Sequence, residues 1–134
     1  MIVRIASAVA KAMMAHARAE LPQEACGLLL GQPGHIQQAR PARNVAENPE
    51  TRFEIDPAVL LAVHRIARAE RLAVIGHYHS HPNGKPEPSK RDAARAVENG
   101  QIWIIVTDAG LTAWSATTSG ALHVRFQPLA LEHV

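Results

Sequence analysis

Apolar residues recur along this chain with two periods, and the switches between them outline helices interleaved with short strands. Ile2 to Ile5 predicts a strand at the edge of a sheet. From about Ser7 to Glu20, Val9, Met13 and Ala17 return at helical spacing, and Pro22 enforces the stop. Ala25 to Gly31 predicts a buried strand, and Pro33-Gly34 a turn into a second strand near His35 to Arg40, completing a hairpin. The polar stretch Arg43 to Arg52 predicts a loop, followed by a short strand at Phe53 to Ile55. Asp56-Pro57 sets an N-cap before a proline at the first helical position. It opens a helix to about Glu70 with Leu60, Val63 and Ala67 on one face. Leu72 to Tyr78 predicts the next strand, and Ser89 to Asn99 a helix that stops at Gly100. Ile102 to Thr107, Thr112 to Ser115 and His123 to Gln127 complete the set of strands, with a turn at Asp108-Ala109-Gly110. Helices alternating with strands and hairpins predict an α/β fold class, a mixed β-sheet flanked by helices.

The strand at Leu72 runs into Gly76-His77-Tyr78-His79-Ser80-His81-Pro82, where three imidazoles replace the apolar pattern. In extended backbone His77, His79 and His81 point the same way, with neighbouring Cα atoms about 6.6 Å apart. Adjacent rings can then reach one ion, whereas His77 and His81, roughly 13 Å apart, cannot do so together without a bend. The ligating pair is therefore His77 with His79 or His79 with His81. Imidazole combined with carboxylate suits zinc, and three protein ligands leave a fourth position open for water. Downstream, Pro82, Pro86 and Pro88 stiffen a loop that ends at Ser89, a good N-cap. Asp92 falls in the first turn after it. Its carboxylate either closes a capping box with Ser89 or turns back toward the histidines. A general base is also needed, and Glu24, between a helix stop and a buried strand, is the candidate whose partial desolvation would raise its pKa.

Composition narrows the function classes. With 134 residues the chain has room for one domain. Lys and Arg number 14 against 12 Asp and Glu, scattered rather than blocked, and aromatics make up 4%, so nothing points to nucleic acid. Cys26 is the only cysteine, which excludes an internal disulfide and a four-cysteine zinc site and fits a reducing, cytoplasmic setting. No apolar run approaches the length of a membrane span, and Arg4 and Lys11 interrupt the N-terminal segment, so neither a membrane partner nor a secretory signal is expected.

Glu24 ahead of Ala25-Cys26-Gly27-Leu28-Leu29-Leu30-Gly31, His79-Ser80-His81-Pro82 and Ser89-Lys90-Arg91-Asp92 together resemble the JAMM (MPN+) metalloprotease motif. Asn44 and Phe53-Glu54-Ile55-Asp56-Pro57 resemble the short bacterial members of that family, so the likeness spans most of the chain. The resemblance implies a single domain over residues 1–134 with the MPN/JAMM, cytidine-deaminase-like architecture. It implies one zinc ion per chain held by His79, His81 and Asp92, with Glu24 as the acid/base and Ser89 as a hydrogen-bond donor to the oxyanion. His77 falls outside the motif. The implied reaction is hydrolysis, by zinc-activated water, of a peptide or isopeptide bond at the C-terminal tail of a ubiquitin-like sulfur-carrier protein. Such a tail could dock as an added strand along a sheet edge, and a homodimer remains open.

Three rival readings are distinguishable. A zinc nucleobase deaminase needs a Cys-x-x-Cys pair that one cysteine cannot supply. A cysteine hydrolase would have to use Cys26, which lies in an apolar strand and is expected to be packing. A non-catalytic MPN-type scaffold would carry an incomplete ligand set, and here no motif position departs from the pattern.

Overall fold

In the computed structural model, which describes residues 2–96 and 98–134, seven strands and three helices follow one another. They are β1 (Ile2–Ile5), α1 (Ser7–Glu20), β2 (Cys26–Gln32), β3 (His35–Ala42), α2 (Pro57–Ala69), β4 (Ala73–Ser80), α3 (Lys90–Arg95), β5 (Ile102–Thr107), β6 (Gly110–Ala116) and β7 (Phe126–His133). The mixed sheet and its helices match the predicted α/β class. The sheet also closes on itself in the order β1-β3-β2-β4-β5-β6-β7. Closure corrects the placing of β1 at an edge: it pairs in parallel with β7 on one side and with β3 on the other. Every described strand therefore has two neighbours, which leaves no terminal strand for a substrate tail to extend.

Period-two alternation along β2 sorts its side chains between two helices. Leu29 joins Ala10 and Met13 of α1 in a core that also holds Val3, Ile5, Ile36, Tyr78, Ile104 and Val106, so strands from both sides of the sheet wrap α1. Leu28 and Leu30 face the other way, against Val63 and Ala67 of α2. Cys26 shares that second face with Phe53, Trp103 and Ala93 of α3. The buried stripe of α2 includes Val63 and Ala67 as expected, but Leu60 is 38% exposed, and Val59 and Ile66 pack in its place. Asp56 caps α2 as the sequence indicates, its Oδ1 accepting the Ala58 N–H at 2.9 Å ahead of Pro57.

Three predicted elements differ most from what forms. Phe53 to Ile55 forms no strand, only an isolated bridge between Asn44 and Ile55. The helix expected over Ser89 to Asn99 ends at Arg95, because Ala96 turns to ψ 88°, and the expected continuation crosses Val97, which lies outside the described residues. The last strand runs over Phe126–His133 rather than His123 to Gln127; its start is set by His123 and Val124, whose φ of 53° and 58° are incompatible with extended backbone.

Close strand approach makes Gly76 indispensable. A Cβ on Gly76 would run into the backbone carbonyl of Ile102 across the β4–β5 pairing, where only main chain could yield. Gly76→Ala is expected to destabilise the fold by about 3 kcal/mol, lowering the thermal midpoint by roughly 10 °C. A midpoint unchanged in thermal unfolding would show that β4 and β5 can separate without cost.

Candidate metal centre

Strand pairing brings the candidate residues to one face. On β4, His77 and His79 point to the α2/α3 side while Tyr78 points into the α1 core, and Cys26 pairs with His79 in antiparallel register. Two residues back along the chain from Cys26, Glu24 lines the same cleft as His81, close enough for the imidazole to act on its carboxyl. The chain keeps this register beyond the ends of the strands: the Ser80 N–H donates to the Ala25 carbonyl at 2.9 Å, the Ala25 N–H to Ser80 Oγ at 2.7 Å, and the His81 N–H to the Val106 carbonyl at 2.9 Å. Spacing along the sequence could not connect Glu24 to His79, but the β2–β4 ladder does.

Of the two adjacent histidine pairs, His79 and His81 are the ones that converge. Their Nε2 atoms are 3.0 Å apart, and Asp92 Oδ2 lies 3.3 Å from the first and 3.2 Å from the second. All three residues are buried. Asp92 arrives there from the first turn of α3 and also completes the capping box. Its N–H donates to Ser89 Oγ at 3.0 Å, while the Ser89 N–H donates to Asp92 Oδ2 at 2.8 Å. The two alternatives for Asp92 are thus one arrangement, in which the cap aims the carboxylate.

The donor set fits a tetrahedral cation. His81 Nδ1 lies 2.9 Å from the Lys85 carbonyl, which can only accept, so Nδ1 carries the proton and Nε2 presents a lone pair. Ligand atoms at 2.0–2.1 Å from a tetrahedral zinc stand about 3.3 Å from one another, close to the edges of this triangle. Burial opposes ionisation of the Asp92 carboxyl, but hydrogen bonds to His79 and His81 outweigh it and hold the group well below the usual carboxylate range. For His79, burial dominates and lowers the pKa, favouring the neutral ring that a metal requires.

A cleft of about 700 Å³ opens over this triangle, lined by Glu24, Thr51, His81, Pro86, Ser89 and Arg91 among others. Glu24 is 6% exposed, and desolvation pushes its carboxyl from 4.5 up to about 7, against the opposing pull of His81. The sign of the linkage follows. Between about 4.5 and about 7 the folded protein keeps a proton that the unfolded chain has lost, so stability falls as pH rises through that window. Metal-free Glu24→Gln is therefore expected to exceed the wild type in stability by about 2 kcal/mol near pH 8, with the gap closing below about pH 4.5. Urea unfolding in chelator across that range reads the difference. A gap independent of pH would place Glu24 in a solvated setting.

Ser89 is exposed, and its Oγ accepts from Asp92, which leaves the hydroxyl proton free to donate into the cleft. Cys26 is fully buried, and burial pushes its thiol up to about 12, so it has no thiolate to offer as a nucleophile. His77 does not join the triangle. Its ring lies 4.2 Å from Trp103 and 5.4 Å from Phe53 between centroids, and burial lowers its pKa to about 3.

Other contributors carried no legible role in the sequence. Phe53 stacks on His79 at 4.2 Å and 19°, and Arg95 both lies over the Phe53 ring and donates to its carbonyl. Only the aromatic residue in the Phe53 run could have hinted at this. Asn44 pins the intervening loop: its Nδ2 donates to the Glu24 carbonyl at 2.9 Å and the Arg52 carbonyl at 3.0 Å, while its Oδ1 accepts from Ala46 and Glu54. The Lys85 carbonyl is main chain and leaves no sequence signal.

The family model for prokaryotic homologues of the JAB domain matches residues 6–117. A protein named desampylase from Haloferax volcanii is 32% identical over 104 residues, covering 73% of this chain and 75% of its own length. The CysO-cysteine peptidase of Mycobacterium tuberculosis is 34% identical over 100 residues, covering 72% of this chain and 66% of the peptidase. A solution structure of a protein from Desulfitobacterium hafniense is similar with a TM-score of 0.85 at 25% identity, covering 100% of this chain and 93% of that one.

Proposed function

The chain belongs to the family of prokaryotic homologues of the JAB domain and is an enzyme of the JAMM peptidase type. From that premise we propose a zinc-dependent metallopeptidase that cleaves a peptide or isopeptide bond at the C-terminal tail of a ubiquitin-like, sulfur-carrier protein. The observation that carries it is the buried triangle of His79 Nε2, His81 Nε2 and Asp92 Oδ2 beside a carboxyl, Glu24, poised near neutrality.

His79, His81 and Asp92 would hold the zinc. When bound, zinc supplies Lewis acidity, polarising a carbonyl and acidifying water. Glu24, with a pKa about 7, accepts a proton from the attacking water and returns it to the leaving amine. The free Ser89 hydroxyl donates to the oxygen of the attacked carbonyl. Because the closed sheet offers no terminal strand, the tail is held in the cleft that Thr51 and Pro86 to Ser89 line.

The two named relatives support the substrate class: one is called a desampylase and the other a CysO-cysteine peptidase. Among the described residues no helix is long and apolar enough to cross a membrane. The test is mass spectrometry of a C-terminally extended ubiquitin-like sulfur-carrier protein incubated with zinc-loaded enzyme, with and without chelator. Trimming that chelator abolishes is the expected result. No trimming by a protein shown to hold zinc would send the substrate assignment elsewhere, and failure to bind zinc would favour a non-catalytic scaffold.

A further inference from the structure

The loop that leads to Ser89 is held by its carbonyls. Pro86 and Pro88 have no N–H to donate, so the main chain there is fixed from outside chiefly through its oxygens. Three of these are engaged. The Lys85 carbonyl accepts from His81, the Pro86 carbonyl from the Thr112 hydroxyl, and the Pro88 carbonyl lies 3.2 Å from His123 Nε2. A carbonyl can only accept, so His123 carries a proton on Nε2 and donates it. The same peptide unit is bound at its other end, where the Ser89 N–H donates to Asp92 Oδ2 at 2.8 Å. In a trans peptide the C=O and N–H point opposite ways, so His123 and Asp92 grip the Pro88–Ser89 unit from two sides.

His123 reaches this point from the connection between β6 and β7, and it lines the same cleft as Glu24 and Ser89. The backbone that presents it is strained. His123 and Val124 both hold left-handed φ, 53° and 58°, a conformation that a β-branched residue such as Val124 rarely adopts. Around them the chain is clamped: Leu122 and Phe126 exchange both main-chain hydrogen bonds at 3.0 Å, and the Thr117 N–H donates to the Arg125 carbonyl at 2.7 Å. Phe126 is fully buried and anchors the turn in the core. Strain of this kind persists only where the surroundings over-determine it, and it gathers at functional sites. Here it delivers an imidazole to a carbonyl 35 positions back along the chain, one residue ahead of Ser89. Building on the peptidase reading above, we propose that His123 is a positioning residue: by holding the Pro88 carbonyl it aims the Ser89 hydroxyl at the oxygen of the attacked carbonyl.

The experiment follows cleavage of the C-terminally extended sulfur-carrier protein by zinc-loaded wild type, His123→Ala and His123→Gln, each also in a Ser89→Ala background. Urea unfolding of every variant controls for folding. His123→Ala is expected to lower kcat about 10–100-fold with KM nearly unchanged, and His123→Gln, whose amide keeps a donor at similar reach, to restore most of it. In the Ser89→Ala background the same change should cost less than about 2-fold, because the hydroxyl that His123 aims is gone. Wild-type kcat in His123→Ala, or equal losses in the two backgrounds, overturns the proposal while leaving the peptidase reading standing. Two readouts need no turnover. The Ser89 amide should exchange with solvent about 10-fold faster in metal-free His123→Ala than in wild type, and ring ¹⁵N NMR should show a proton on His123 Nε2. An unchanged exchange rate or a bare Nε2 also overturns the proposal. If the zinc-loaded wild type cleaves no tail, the substrate assignment fails instead, and the amide exchange decides the role of His123 by itself.

Discussion

Glu24→Gln is expected to cut turnover by about 10²–10⁴-fold while zinc stays bound. The carboxylate is not one of the three converging ligand atoms, so its loss leaves the donor triangle intact. The amide has nearly the same shape, and the bond from Asn44 is made to the Glu24 main-chain carbonyl, which the substitution does not touch. What glutamine cannot do is take up a proton and give it back. The loss should therefore fall on kcat rather than KM, with zinc stoichiometry near that of the wild type in native mass spectrometry. Activity within a few-fold of the wild type would remove Glu24 from the chemistry and turn its raised pKa into a mere by-product of burial.

A second large effect separates the two duties of Asp92. Asp92→Asn keeps a side-chain oxygen that can accept the Ser89 N–H, so α3 should retain its cap, but the anionic ligand is lost. Zinc sites are worth 10–16 kcal/mol over four ligands, roughly 3 kcal/mol each, so affinity should drop by about 100-fold or more. Asp92→Ala should lose the same affinity and, in addition, about 1 kcal/mol of stability from the Ser89 N–H left without its acceptor, while Ser89 Oγ still caps the helix. Chelator competition and urea unfolding read the two quantities independently. Equal zinc affinity in Asp92→Asn and wild type would show that the carboxylate charge is not part of the site.

Much of this was legible in the sequence because local rules coincide with the tertiary outcome. The Asp56-Pro57 start, the Val63 and Ala67 stripe and the Ser89 to Asp92 spacing are short-range signals, and each appears where expected. What could not be read depends on contacts between distant segments. Two histidine pairs were equally plausible along an extended strand, and His81 is selected by Asp92 arriving from α3 and by a main-chain carbonyl at Lys85. Glu24 belongs with His81 only through the β2–β4 register. Leu60 follows the helical period yet is left partly exposed, because the period cannot tell which edge of a stripe the sheet covers. Likewise β1 has the four-residue length of an edge strand, and only its pairing with β7 shows that it closes a ring.

That ring sets the order in which the molecule can be assembled. Ile2 to Ile5 lie against Ala130 to His133, and the main chain is tied again where the Ser7 hydroxyl and N–H both donate to the Val134 carbonyl, 127 positions away. Pairing across so long a loop carries the largest closure entropy of any contact in the fold, so it forms after the local hairpins β2–β3 and β5–β6. On the ribosome the first strand must wait, unsatisfied along one side, until the last has been synthesised. During that interval β1 is the segment exposed to mispairing with other chains.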